Sequence, residues 1–256
     1  MDIDTNDSND EIKKYLFQNE KTYEILIDFF DHLSNLSNET YQNMIEFISH
    51  NKNIFFKDHA SGISFFHHII RMACANFKYF EIFLDICVDF SSDFKQIDIT
   101  ENEIIQISFI FKNSIYYLFT KNFFTIKSIV EQSFLNNFLF INFLPEITEY
   151  DKEYAEIKTR NLLLSDQSNN EIKEDISFLQ FVINNPDKHI LYRSLNYNNS
   201  YIHELIWNDD IDQFQNFVSH ENVDYNYEIP FSYYERTKTN DRCVSLIKAA
   251  AIYGSI

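Results

Sequence analysis

The sequence predicts an all-α fold, an α-solenoid of helical hairpins, and three observations predict it. Apolar residues recur every three to four positions through most of the chain, the spacing that lines one face of a helix. Gly62 and Gly254 are the only glycines and there are three prolines in 256 residues. A sandwich or barrel needs turn punctuation every roughly 8 to 12 residues, and this chain lacks it. Thr, Ser, Asn and Asp stand instead where helices would begin, the residues whose side-chain oxygens satisfy the free N–H groups of a first turn.

Taken in order, residues 1–10 (MDIDTNDSND) are polar and acidic and read as a frayed start, with neither the basic beginning nor the apolar stretch of a secretory signal. A helical domain over 11–185 follows. Ser8 with Glu11 marks a helix start, and Leu16, Tyr23, Leu26, Ile27 and Phe30 share one side of that helix. Tyr41, Met44, Ile45 and Ile48 line a second. From Ser64 the run FFHHIIRMACA is a third helix, with KYFEIFLDICVDF as its antiparallel partner. Thr100 and Glu103 form a capping box, and apolar segments at 114–120, 123–131 and 133–144 continue the hairpins. The stretch 146–177 is the most polar in this half and is expected to hold the longest exposed connection; ISFLQFVIN at 176–184 resumes the pattern until Pro186 stops it.

Composition limits function. With 27 Phe and 16 Tyr the interior is built from rings, and so few glycines leave no phosphate-cradling loop, so no cofactor is expected. A net charge of −18 repels a phosphate backbone, so nucleic acid is not an expected partner. Cys74, Cys87 and Cys243 are odd in number and far apart, as unpaired thiols in a reducing cytoplasm would be. No apolar run approaches the roughly 20 residues a membrane-spanning helix requires, so no membrane association is expected.

Residues 186–256 carry the most specific pattern. In Ser200 to Asn226, SYIHELIWNDDIDQFQNFVSHENVDYN, Ser200, His203, Leu205, Ile206, Asp224 and Asn226 fall at positions of an ankyrin repeat, which opens Thr-Pro-Leu-His and closes Gly-Ala-Asp-Val-Asn. The proline and both glycines are missing. A partial second copy, SLIKAAAIYGSI over 245–256, resembles the same opening, with Ser245 at the cap and Ala250, Ala251 and Gly254 matching. The step from Ser200 to Ser245 exceeds the ankyrin period of 33 by about 12 residues. The excess falls in a long hairpin insertion, 227–243. Small residues such as Ala249 to Ala251 let neighbouring repeats stack closely.

Three pieces together, FINFLPEITEYDKEY, HELIWNDDIDQFQNFVS, and IPFSYYER with SLIKAAAIYGSI, resemble a large protist family typified by trichomonads. In that family an N-terminal helical domain of unknown function precedes ankyrin repeats. The resemblance implies a protein–protein interaction scaffold or adaptor, with a protein partner and no catalytic activity. Other members continue for many repeats. A chain ending at Ile256 would leave an inner helix uncovered, as expected of a truncated remnant of a longer protein or of a stack capped by a partner.

Candidate chemistry is sparse. His67, His68 and Cys74 lack metal-ligand spacing, and Asp210, Asp212 and Glu221 fit a calcium loop only until Phe214 and Gln215 occupy its fifth and sixth positions, so no metal site is expected. Glu146, Glu149, Asp151 and Glu153 read as a solvated face, and His203 as a residue ordering adjacent repeats. No catalytic or cofactor-binding residue is assigned; the alternative, a helical enzyme of unfamiliar chemistry, would need a buried, perturbed titratable pair. The hairpin holds Ile229, Phe231, Tyr233, Tyr234, Arg236 and Arg242, and Tyr and Arg are residue types that dominate interfaces. These six either dock a partner or lock the two repeats together.

Overall fold

The computed structural model describes residues 24, 38–75, 79–109, 112–166, 168–195, 202, 205–206, 210–220, 228–230 and 243–245. The fold is all-α as expected, with one minor addition. Fourteen helices are found among the described residues, together with a pair of three-residue strands. The helices are α1 Asn38–His50, α2 Lys52–Phe55, α3 His59–Ala75, α4 Phe80–Asp89, α5 Ser91–Gln96, α6 Glu101–Ser108 and α7 Lys112–Thr120. They continue with α8 Ile126–Ser133, α9 Asn137–Asn142, α10 Leu144–Tyr150, α11 Lys152–Leu163, α12 Asn170–Asn184, α13 Pro186–Leu195 and α14 Ile211–His220. Strands β1 Glu228–Pro230 and β2 Cys243–Ser245 pair antiparallel, Glu228 opposite Ser245 and Pro230 opposite Cys243. Among the described residues no helix is long and apolar enough to cross a membrane.

The chain divides into two compact units, one ending at Phe65 and the other beginning at Phe66. In the first, Met44 and Ile48 are buried on α1, one turn apart, and Phe55 and Phe56 both pack on Phe65, with ring centroids 4.8 and 5.2 Å away. Helix α3 begins at His59, ahead of the expected Ser64, because Asp58 accepts hydrogen bonds from both the N–H and the Oγ of Ser61 at 2.8 Å and so supplies an earlier cap.

The second unit opens on an aromatic cluster of Phe66, Phe94 and Phe123, all buried, with centroids 5.7 to 6.1 Å apart. Helix α4 has α7 as its main neighbour rather than the expected α3: Tyr117 donates its hydroxyl to Asp85 at 2.8 Å, and Phe80 lies 5.8 Å from the same ring. Two turns show how helices end without glycine. Asp98 (φ 58°) and Asn122 (φ 57°) take the left-handed conformation after α5 and α7. The residue beyond each, Ile99 or Phe123, donates its N–H five residues back to Phe94 or Leu118, while Asp98 and Asn122 donate three residues back. That is the Schellman closure, and the apolar residues at its two ends are buried in both cases.

Caps then restart the chain. Thr100 and Glu103 form the expected capping box on α6, and Thr125, Asn136, Asp151 and Asn169 accept first-turn N–H bonds for α8, α9, α11 and α12. Helix α8 packs on α6 and α10 as well as on the adjacent α9, so alternate helices lie side by side. The polar stretch 146–177 is not a long exposed connection. It forms most of α10, all of α11 and the start of α12, and only 164–169 links the last two. Helix α11 looks polar because it buries just Ala155 and Leu162, seven residues apart on one face. Pro186 ends α12 and also opens α13, at a position where its missing N–H costs nothing.

Candidate interaction surface

Helix α8 is held at both ends by side chains from other helices. At its N-terminus the Glu101 carboxylate of α6 accepts from the Thr125 N–H (2.8 Å), the Thr125 hydroxyl (2.9 Å) and the Ser128 hydroxyl (2.6 Å). At its C-terminus the Lys158 ammonium of α11 donates to the carbonyls of Ser133 and Phe134, the second at 3.2 Å. An anion at the positive end and a cation at the negative end match the helix dipole. Burial alone would raise the Glu101 carboxyl, but the bonds from Ser128 and Thr125 hold it below the usual range. Burial pushes Lys158 down, and Asp175 partly restores it.

The same bonds fix the turn that leaves α8. Lys158 holds the Phe134 carbonyl, the Phe134 ring lies 4.5 Å from that of Tyr154, and Tyr154 shares a 2.9 Å hydrogen bond with Ser133. Asn136 then caps α9 by accepting from Leu139 N–H at 3.0 Å. Despite this anchorage the apolar side chains between the two caps face water: Phe134 is 60% exposed and Leu135 94%. On the neighbouring α11, Ile157 is 49% exposed, and Leu164, seven residues on and just past the helix end, is 77% exposed. Exposed apolar side chains thus stand both on this turn, in Phe134 and Leu135, and along α11 and its end, in Ile157 and Leu164.

The principal buried polar network lies elsewhere in the unit. Arg193 of α13 donates to the Asn142 carbonyl at the end of α9 and, through both terminal nitrogens, to the Glu146 carboxylate at 3.1 and 2.5 Å. His189, one turn earlier and fully buried, sits 3.0 Å from the same Asn142 carbonyl. A carbonyl only accepts, so His189 donates from Nε2. The guanidinium also lies over the Tyr116 ring at 4.2 Å. Burial and the Arg193 charge lower the His189 pKa to about 4, against the opposing pull of the Asn142 bond. Through the Asn142 carbonyl and the Glu146 carboxylate the network braces α9 and α10 against α13.

Several residues singled out from the sequence can now be placed. Of the carboxylates expected on a solvated face, Glu149 and Glu153 are exposed, but Asp151 caps α11 and Glu146 is drawn in by Arg193. Asp210 caps α14 by accepting from Gln213 N–H at 3.1 Å. His67 and His68 are partly buried with rings 6.3 Å apart, and burial, then the Arg71 charge, lowers the His67 pKa. Among the described residues no three His, Cys, Asp or Glu side chains converge as a metal site would require. Cys87 is buried, which pushes its thiol pKa up. Ile202, Leu205 and Ile206 are buried.

In the hairpin, Ile229 stands in β1 opposite Val244, and Ser245 ends β2 opposite Glu228. Phe231, Tyr233, Tyr234, Arg236 and Arg242 lie outside the described residues, as do Ser200, His203, Asp224, Asn226, Ala250, Ala251 and Gly254. Sequence reasoning missed the Phe134–Leu135 turn and the His189–Arg193 pair. The second had a signal, two polar residues one helical turn apart within a half-apolar stretch; the first had none, because an apolar pair between helices reads as core. No family model matches the chain, and no curated protein or solved structure matches it.

Proposed function

We propose that this chain is a protein-binding scaffold or adaptor that acts in the cytoplasm without a reaction of its own. In this reading it is a helical solenoid with ankyrin-like repeats at its C-terminal end, in the manner of the trichomonad-type family that its sequence resembles. The side-by-side placement of α6, α8 and α10 supports a repeat arrangement, in which each helix buries its apolar side only against neighbours. The observation that carries the binding role is the Phe134–Leu135 turn, braced through its backbone by Lys158 and Asn136 while its side chains remain in water. Pre-organised apolar side chains lose little conformational freedom on docking, which favours their use as anchors.

Site-directed photo-crosslinking tests this. A photoreactive amino acid at position 135 should trap a discrete protein partner in cell lysate, and the same group at exposed Lys127 should not. Equal, diffuse labelling from both positions, or none from either, would sink the adaptor reading at this surface.

A further inference from the structure

We infer that the exposed face of α11 pairs with the same face of a second copy of this chain, the two helices running antiparallel. The inference is independent of the adaptor reading, which concerns the Phe134–Leu135 turn. Helix α11 buries Ala155 and Leu162, one above the other on one side. At 3.6 residues per turn the opposite side carries Glu153, Ile157, Arg160 and Leu164, spaced four, three and four apart. All four are exposed, Ile157 by 49% and Leu164 by 77%. Leu164 stands just past the helix end yet keeps the helical rotation, because its N–H donates four residues back to the Arg160 carbonyl at 3.1 Å. Lys152 and Glu156 are paired with each other at 3.8 Å. Among the described residues neither the Glu153 carboxylate nor the Arg160 guanidinium has a hydrogen-bond or ion-pair partner.

Charge and symmetry select the occupant. An isologous interface needs a patch that complements itself after a half-turn, with opposite charges at equal distances on either side of a centre. Glu153 and Arg160 are so arranged, each about 5 Å along the helix from a midpoint that falls between Glu156 and Ile157. Laid antiparallel, Glu153 of each copy meets Arg160 of the other, and the two Ile157 side chains meet beside the two-fold axis. Leu164 then reaches the other copy's α11 N-terminus, next to which Tyr150 is 53% exposed. A segment of one charge sign would leave Glu153 or Arg160 facing its like. The net charge of −18 does not forbid the pairing, because it is screened beyond about 8 Å at physiological salt. Helix α11 itself exposes two cations, Lys152 and Arg160, and two anions, Glu153 and Glu156.

Sedimentation equilibrium of the whole chain at about 5 to 500 µM, the range a small and partly polar interface calls for, should show a monomer–dimer equilibrium. Glu153→Arg and Arg160→Glu should each weaken the dimer by roughly tenfold or more, since each variant sets like charges against each other across the pair. The sign makes the result specific: Glu153→Arg lowers the net negative charge, so relief of general repulsion between acidic chains would tighten association instead. An equimolar mixture of the two variants should regain the dimer, because each supplies the charges the other lacks. Ile157→Asp, which sets two carboxylates beside the axis, should also be monomeric. All three positions are exposed, so the variants should keep their fold, and circular dichroism checks that. A wild type that is monomeric throughout overturns the proposal, as does a dimer that Glu153→Arg tightens or that Ile157→Asp leaves intact. A mixture of the two charge variants that stays monomeric overturns the antiparallel pairing as well.

Discussion

Arg193 and Glu146, 47 residues apart, meet as a two-point ion pair in which both terminal nitrogens of the guanidinium reach the carboxylate. Arg193 is almost fully buried, with its Nε unpartnered, and Glu146 is three-quarters covered. Removing one partner of such a pair leaves the other charge stranded, and the loss is larger than the pair's net worth. Arg193→Ala is therefore expected to destabilise the chain by about 3 to 5 kcal/mol in urea unfolding. Glu146→Gln keeps an acceptor for one N–H and should cost less. An Arg193→Ala chain with an unchanged midpoint would mean that α13 is not braced through this residue.

His189 makes stability depend on pH in a predictable direction. Its ordinary value is 6.5 and its folded value about 4, lowered by burial and then by Arg193. As pH falls, the unfolded chain takes up this proton first. The contribution is complete above about 6.5 and declines until about 4, where the folded form is protonated too. The full loss is roughly 3 kcal/mol, at about 1.4 kcal/mol per pKa unit. Unfolding free energies at pH 7, 5.5 and 4.5 should converge between wild type and His189→Gln, since the variant lacks this part of the slope. Parallel curves would argue against a buried neutral imidazole.

The clamp on α8 has two sides that can be tested apart. Glu101→Gln retains size but loses the charge that faces the helix N-terminus, and should cost about 1 kcal/mol at pH 7. Since bonding lowers the Glu101 pKa below 4.5, that difference should shrink as the pH falls below 4.5 and the wild-type carboxylate is itself protonated. Urea titrations of both proteins at neutral and acid pH give the comparison. A difference that persists unchanged into acid would point to shape rather than charge.

Asn122 offers a stabilising change. It holds φ at 57° in the turn after α7, where a Cβ is a cost and glycine has none. Asn122→Gly should raise stability by a few tenths of a kcal/mol, and Asn122→Ala should lower it by about 1 kcal/mol, because alanine lacks the local hydrogen bonding that lets asparagine tolerate this region. Thermal melts read both. Equal melting points would show that the turn relaxes out of the left-handed state.

The sequence by itself determined the elements that depend on neighbours along the chain. Thr100 with Glu103 specifies a helix start whatever packs on it, and the spacing of Met44 and Ile48 specifies which side of α1 is buried. Two glycines in the whole chain already excluded most other fold classes. Polar content misled over 146–177, because a helix that buries only Ala155 and Leu162 has the composition of a loop. What only the tertiary structure decided are the long-range choices: that Lys158 turns back to the end of α8, that Arg193 pairs with Glu146 out of the run Glu146, Glu149, Asp151 and Glu153, and that Phe134 and Leu135 remain in water. Local propensity acts over one helical turn. These pairings join residues 24 to 51 positions apart, and burial, charge and hydrogen-bond geometry choose them only once the helices have met.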